Sequence, residues 1–234
     1  MEIRGNVEQI QAKIARAAER SGRSADAVTL IAVSKLKSLQ MIEAVAAVGV
    51  RDFGENRSDE LLEKANAHPE LNWHFIGHLQ TRQSQPVADH AACFHAVDRV
   101  KIAARLNRQL ERPLPVFIEV NVSGEENKYG LDCSNWEADG GQRDALIQAI
   151  TTILELPRIE VQGLMTMAPY VAEEKVVRSV FGRTRRLSEY LQSAVPAVKW
   201  DKLSMGMTND YAIGIEEGAT HVRVGRAIFG ERNY

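Results

Sequence analysis

The chain has 234 residues, with 29 Lys and Arg against 31 Asp and Glu, for a formal net charge of −2. That balance gives no electrostatic case for DNA or RNA as a main partner, and no apolar stretch approaches the roughly 18 residues needed to span a bilayer. Two cysteines, Cys93 and Cys133, stand far apart in no CxxC pair. A disulfide framework is therefore not expected, and without a signal-peptide core at the N-terminus a cytoplasmic protein is.

Residues 6–20 read as an amphipathic helix closed by Ser21-Gly22. The apolar run 28–34 reads as a first buried strand. Residues 38–48 form a helix with Leu39, Ile42, Val45 and Ala46 on one face, stopped by Gly49. A short strand over 50–54 precedes a helix over 57–67, which ends at His68-Pro69. Strands over 73–77 and 93–97 flank a helical stretch, and a helix covers 99–111. Residues 115–122, rich in Val, Ile and Phe, give a fifth strand. The Gly-, Asn- and Asp-rich segment 123–141 reads as a long loop before a helix over 142–155. A strand over 159–166, a helix over 172–194, a strand over 200–205 and a helix over 208–217 follow. The series ends with a strand over 220–224 and a helical turn at 226–229. Eight strands alternating with about eight helices imply a parallel α/β fold, and the count favours a closed TIM-type (β/α)8 barrel over an open sheet. No Gly- or Ser-rich linker divides the chain, so one domain over residues 1–234 is expected.

Lys35 ends the first strand and shares a face with Val33, Ile31 and Thr29. It either snorkels to water or is a desolvated amine, nucleophilic toward carbonyls. A TIM barrel carries its site at the C-terminal ends of its strands, with phosphate held after strands seven and eight. There the chain offers the hydroxyls of Ser204 and Thr208, and the backbone N–H groups of Gly225, Arg226 and Ala227 at the start of a short helix. Arg223 shares a face with His221 and Gly225 and so points into the barrel. It either pairs with a buried carboxylate or donates to a ligand's ring nitrogen or carboxylate. His74 and His78 are four apart but span a strand and a turn with no third ligand in view, so no metal site is expected. A nucleophilic lysine, a phosphate cradle and an inward arginine on one rim fit pyridoxal 5′-phosphate, PLP.

Six segments carry a resemblance. They are Ala32-Val33-Ser34-Lys35, Phe53-Gly54-Glu55-Asn56, residues 73–80 from Trp73 to Gln80, Gly163-Leu164-Met165-Thr166-Met167, Leu203-Ser204-Met205-Gly206-Met207, and residues 222–230 from Val222 to Gly230. In order over nearly the whole chain, they resemble the pyridoxal phosphate homeostasis protein family. The resemblance implies the barrel of the N-terminal domain of bacterial alanine racemase. It also implies Lys35 as the Schiff-base lysine, Ser204, Gly225 and Arg226 on the phosphate, Arg223 at the pyridine nitrogen and Asn56 near the ring. Its expected role is that of a PLP carrier or regulator without strong catalysis and with no assigned catalytic residue. PLP-dependent apoenzymes stand as conceivable recipients, and a monomer is the default. A low-activity amino-acid racemase is the alternative. It would need a second acid or base opposite Lys35, for which Tyr129 and His78 are candidates, and the second domain of racemases is not expected after Tyr234. Where the family usually has Ser-Asn-Lys after Leu79-Gln80, this chain has Thr81-Arg82-Gln83.

Overall fold

The computed structural model describes residues 3–170 and 172–230. Its strands are β1 (Thr29–Val33), β2 (Asp52–Glu55), β3 (Asn72–Phe75), β4 (Cys93–Val97), β5 (Leu114–Asn121), β6 (Leu131–Asp132), β7 (Ile159–Met165), β8 (Lys202–Met207) and β9 (His221–Val224). Eight of them close a parallel ring in the order β1-β2-β3-β4-β5-β7-β8-β9, with β9 pairing back onto β1. β6 is a two-residue addition to the end of β5. The expected TIM-type barrel is the observed one.

The helices are α1 (Ile3–Arg20), α2 (Leu39–Ala46), α3 (Ser58–Ala67), α4 (Gln85–His90), α5 (Val100–Gln109), α6 (Gly140–Leu154), α7 (Glu174–Ala194), α8 (Tyr211–Glu216) and α9 (Arg226–Phe229). α1 precedes the first strand. Its Val7, Ile10, Ile14 and Ala17, spaced three and four apart, are buried in one stripe that packs on α8 and α9.

Two elements differ from the sequence reading. The long loop is interrupted by β6, and α6 starts at Gly140 because the Asp139 side chain caps Gly141 and Gln142. The helix expected over 208–217 starts only at Tyr211, because Asp210 turns back to accept from the Met207 N–H at 2.5 Å. Thr208 and Asn209 are thereby left in a loop at the barrel mouth.

The barrel interior holds buried polar side chains, among them His95, Glu119, Ser204 and Arg223. His95 stacks on Phe117 with ring centroids 4.6 Å apart, and Phe117 meets His221 edge-on at 5.0 Å.

Candidate functional site

A cavity of about 610 Å³ opens at the C-terminal ends of the strands. Lys35, Asn56, Thr208, Arg223, Gly225 and Arg226 all line it, so six of the seven site residues picked from the sequence converge there. Ser204 does not line it. It is fully buried beneath Arg223.

Lys35 stands on a tight turn just past β1, closed by the Lys37 N–H donating to the Ser34 carbonyl at 3.0 Å. The next residue, Leu36, takes the left-handed φ of 60° that glycine favours. The surroundings hold this turn. The Leu36 N–H donates to Glu60 at 2.7 Å, and Lys64 Nζ donates to the Ser34 carbonyl at 2.9 Å. Lys64 also reaches Glu55 at 2.7 Å and Glu60 at 2.8 Å, and the Ser34 hydroxyl donates to Glu55 at 2.6 Å. Burial raises the Glu55 carboxyl above the usual range, against the pull of Lys64 and Ser34. On the next strand, a Cβ at Gly77 would lie 2.4 Å from the Asn56 carbonyl, so only glycine lets the end of β3 lie this close to Asn56.

Across from the turn, the Gly225 N–H donates to Thr208 Oγ1 at 3.3 Å. A side chain at Gly225 would crowd the Val33 carbonyl at 3.1 Å, so its absence seats the β9–α9 junction against β1, two residues before Lys35. Arg226 lies at the rim, its guanidinium 5.6 Å from the ring centroid of the exposed Tyr170.

Arg223 forms the floor. It makes no ion pair among the described residues but donates to the Ser204 carbonyl at 2.8 Å, the Ser204 hydroxyl at 2.6 Å and the Thr166 carbonyl at 3.0 Å. Burial pushes its guanidinium down to about 10, with Glu119 and Asp210 pulling it back, so it keeps its charge at neutral pH. Behind it runs a chain of contacts: Ser204 Oγ to His95 Nδ1 at 2.8 Å, His95 Nε2 to His74 Nδ1 at 2.9 Å, and His74 Nε2 to Asp52 at 3.0 Å. Because Ser204 accepts from Arg223, its own proton goes to His95, and every donor then points from Arg223 toward Asp52. Ser204 therefore orients Arg223 from below. Cys93 completes a trio with His74 and His95 within 4.8 Å, but in each histidine both ring nitrogens serve this chain.

His74 and His78 diverge. His78 lines the cavity and is held by Asp98, whose carboxylate lies 2.7 Å from Nδ1, while Tyr129 stacks on its ring at 3.8 Å. Asp98 also pairs with Arg99. Beside them Glu119 is 3% exposed and faces the cavity. Burial, and secondarily Asp98, push its carboxyl up to about 7, against the pull of Arg223. Glu119 escaped the sequence reading, although a carboxylate between Ile118 and Val120 in an apolar strand is the same anomaly that Lys35 presents.

The fold and mouth define a class: a parallel (β/α)8 barrel carrying a lysine just past its first strand and an arginine across the floor. The family model described as the N-terminal domain of alanine racemase matches residues 5–233. A pyridoxal phosphate homeostasis protein of Pseudomonas aeruginosa is 40% identical over 99% of this chain and 96% of its own length. Its Escherichia coli K12 counterpart is 38% identical over 100% and 98%. The chain therefore belongs to the alanine racemase N-terminal-domain family, within its group of pyridoxal phosphate homeostasis proteins. Among solved structures, PipY of Synechococcus elongatus PCC7942 with PLP bound is 30% identical, with a TM-score of 0.78 over 92% of this chain and 100% of PipY. An alanine racemase of Clostridium difficile 630, 14% identical with a TM-score of 0.73 over 100% of this chain and 60% of its own, shares the fold.

Proposed function

We propose that this chain, as one barrel domain, binds PLP in the mouth cavity and keeps it in reserve for the cell without strong turnover. The observation that carries this reading is the convergence of Lys35, Thr208, Gly225 and Arg223 on one cavity. The donor set fits the group: an amine, a hydroxyl beside a backbone N–H, and a guanidinium held from behind. PLP supplies an aldehyde with which a lysine amine condenses, losing water.

Lys35 is the anchoring amine in this reading, fixed by its braced turn. Thr208 and the Gly225 N–H, with Arg226 at the rim, take the phosphate. Asn56 borders the ring. Arg223 can only donate, because its guanidinium stays charged at neutral pH. A ring nitrogen set against it gains no proton from the protein, which weakens the ring as an electron sink. That supports storage over catalysis. Ser204 supports Arg223 and leaves the phosphate to Thr208. A low-activity racemase is a second reading, favoured by Glu119 lining the same cavity as Lys35.

Borohydride reduction of the PLP-treated protein, followed by peptide mass spectrometry, tests the first reading. A PLP adduct on Lys35 is expected, absent from Lys35→Ala. A protein that takes up no PLP overturns it. Steady racemisation of L- or D-alanine that vanishes in Lys35→Ala would favour the second.

A further inference from the structure

Around the barrel ring, β5 lies four strands from β1 in either direction. Glu119, near the mouth end of β5, therefore stands across the cavity from Lys35. It is buried and has no hydrogen-bond partner among the described residues. Its carboxylate neighbour is already engaged, since Asp98 holds His78 and Arg99. Its carboxylate oxygens are not sealed in the wall but open on the cavity, so a group that enters there can bond them. The cavity in front of Glu119 is where that partner can come from.

We infer that Glu119 is the amine-binding and proton-accepting group of a second subsite, which receives a small primary amine entering the cavity opposite Lys35. This rests on the PLP reading above and extends it to how the cofactor leaves. An alkylammonium with a pKa near that of lysine is the free base in only on the order of one molecule in 10³ at pH 7. Only the free base can attack a carbonyl carbon or its imine. The step is a single proton transfer: R–NH3⁺ plus the Glu119 carboxylate gives R–NH2 plus the Glu119 carboxylic acid. A carboxylate whose acid form persists to about pH 7 is a better base for this step than an ordinary one. Tyr129 stacked on His78 adds an aromatic wall for the alkyl part of the amine.

The charged groups about Glu119 set its pH response. Asp98, from the end of β4, raises its proton affinity, and Arg223 on β9 lowers it. His78, Asp210 and Lys35 share the cavity with it, and β7 carries only the exposed Glu160.

The test uses ethylamine, with trimethylamine as a control that lacks a transferable proton once neutral and cannot form an imine. In the PLP-loaded protein, ethylamine should speed release of bound PLP, with a rate rising through about pH 7. Glu119→Gln should take up PLP with an affinity within about twofold of the parent. It should release PLP to ethylamine at least tenfold more slowly, with the rise displaced toward the amine's own pKa. Calorimetric binding of ethylammonium to the PLP-free protein gives a reading that needs no loading, and it should be lost in Glu119→Gln. Unchanged release rates and an unchanged pH midpoint in Glu119→Gln would overturn the subsite, as would ethylammonium binding that survives the substitution. Failure of the parent to load PLP would instead overturn the cofactor reading, while the calorimetry still decides the subsite.

Discussion

Lys64 Nζ lies 2.7 Å from Glu55 Oε1 beneath the turn that carries Lys35, and both side chains are buried. The pair joins α3 to β2, and through the Ser34 carbonyl it also holds the end of β1. Removing one partner of such a pair leaves an uncompensated buried charge, which costs about 3–5 kcal/mol. Lys64→Met should therefore lower the free energy of unfolding in urea by about that much. Combining it with Glu55→Gln should recover a large part, since the fully buried carboxylate is then not left charged without its cation, while Glu60 keeps the Leu36 N–H. A single-variant loss under about 1 kcal/mol would show that the pair is not a brace.

Leu36 offers the opposite case. Its left-handed φ of 60° is strained for a leucine, and its side chain is 58% exposed, so little packing is lost on truncation. Leu36→Gly should stabilise the fold by about 1 kcal/mol. The same change loosens the turn holding Lys35, so PLP uptake should slow or weaken even as the melting temperature rises. Strain next to Lys35 is tolerated only while Glu60 and Lys64 hold the turn in place.

The barrel and most of the mouth were legible in the sequence because both depend on local signals. Strand–helix alternation gave the ring, and an ionisable side chain at the end of an apolar strand marked Lys35. Ser204 lies beneath the cavity and not on its wall, because strand alternation says which face a side chain takes and not how deep in the barrel it sits. Level with His221, two residues below Arg223 in the register, it meets the arginine's guanidinium from beneath, while Thr208, four residues on, reaches the mouth. Glu60 and Lys64 were invisible for another reason. Four apart in the helix expected over 57–67, they carry no local sign of burial, and only the packing of α3 over the β1 turn buries Lys64. His78 and Asp98 lie 20 residues apart, and nothing short of the β3–β4 pairing brings them together.

Glu119 and His221 should tilt stability in opposite directions with pH. The Glu119 carboxyl is raised to about 7, so between about 4.5 and 7 the folded chain holds a proton that the unfolded chain has lost. Its contribution falls as pH rises through that window, by up to about 3 kcal/mol in all. His221 is pushed down to about 3 by burial, so the unfolded chain takes up a proton first as pH drops below about 6.5. Its contribution is complete above about 6.5 and is lost as pH falls toward 3. Urea unfolding at pH 4.5–7.5 should show Glu119→Gln steepening the acid loss and His221→Gln exposing the decline toward neutral pH. Parallel curves for the two variants would contradict both assignments.

The chain from Arg223 through Ser204, His95 and His74 to Asp52 predicts coupling across the barrel. Ser204→Ala removes the acceptor at 2.6 Å from Arg223 and the donor to His95 Nδ1, which lies in a fully buried ring. A buried group left unsatisfied costs about 1–3 kcal/mol. Asp52→Asn, at the far and partly exposed end, removes the charge that draws the His74 Nε2–H and frees that ring to turn over. If the donors all run one way, the two substitutions disturb one network, and their combined cost should differ from the sum by about 0.5 kcal/mol or more. Strict additivity would mean two separate contacts. Arg223 supplies the second readout. In PLP-loaded protein, Ser204→Ala should shift the absorbance maximum of the bound cofactor, because the guanidinium on the cavity floor loses the shortest of its three contacts, whereas Asp52→Asn should shift it less in the same direction.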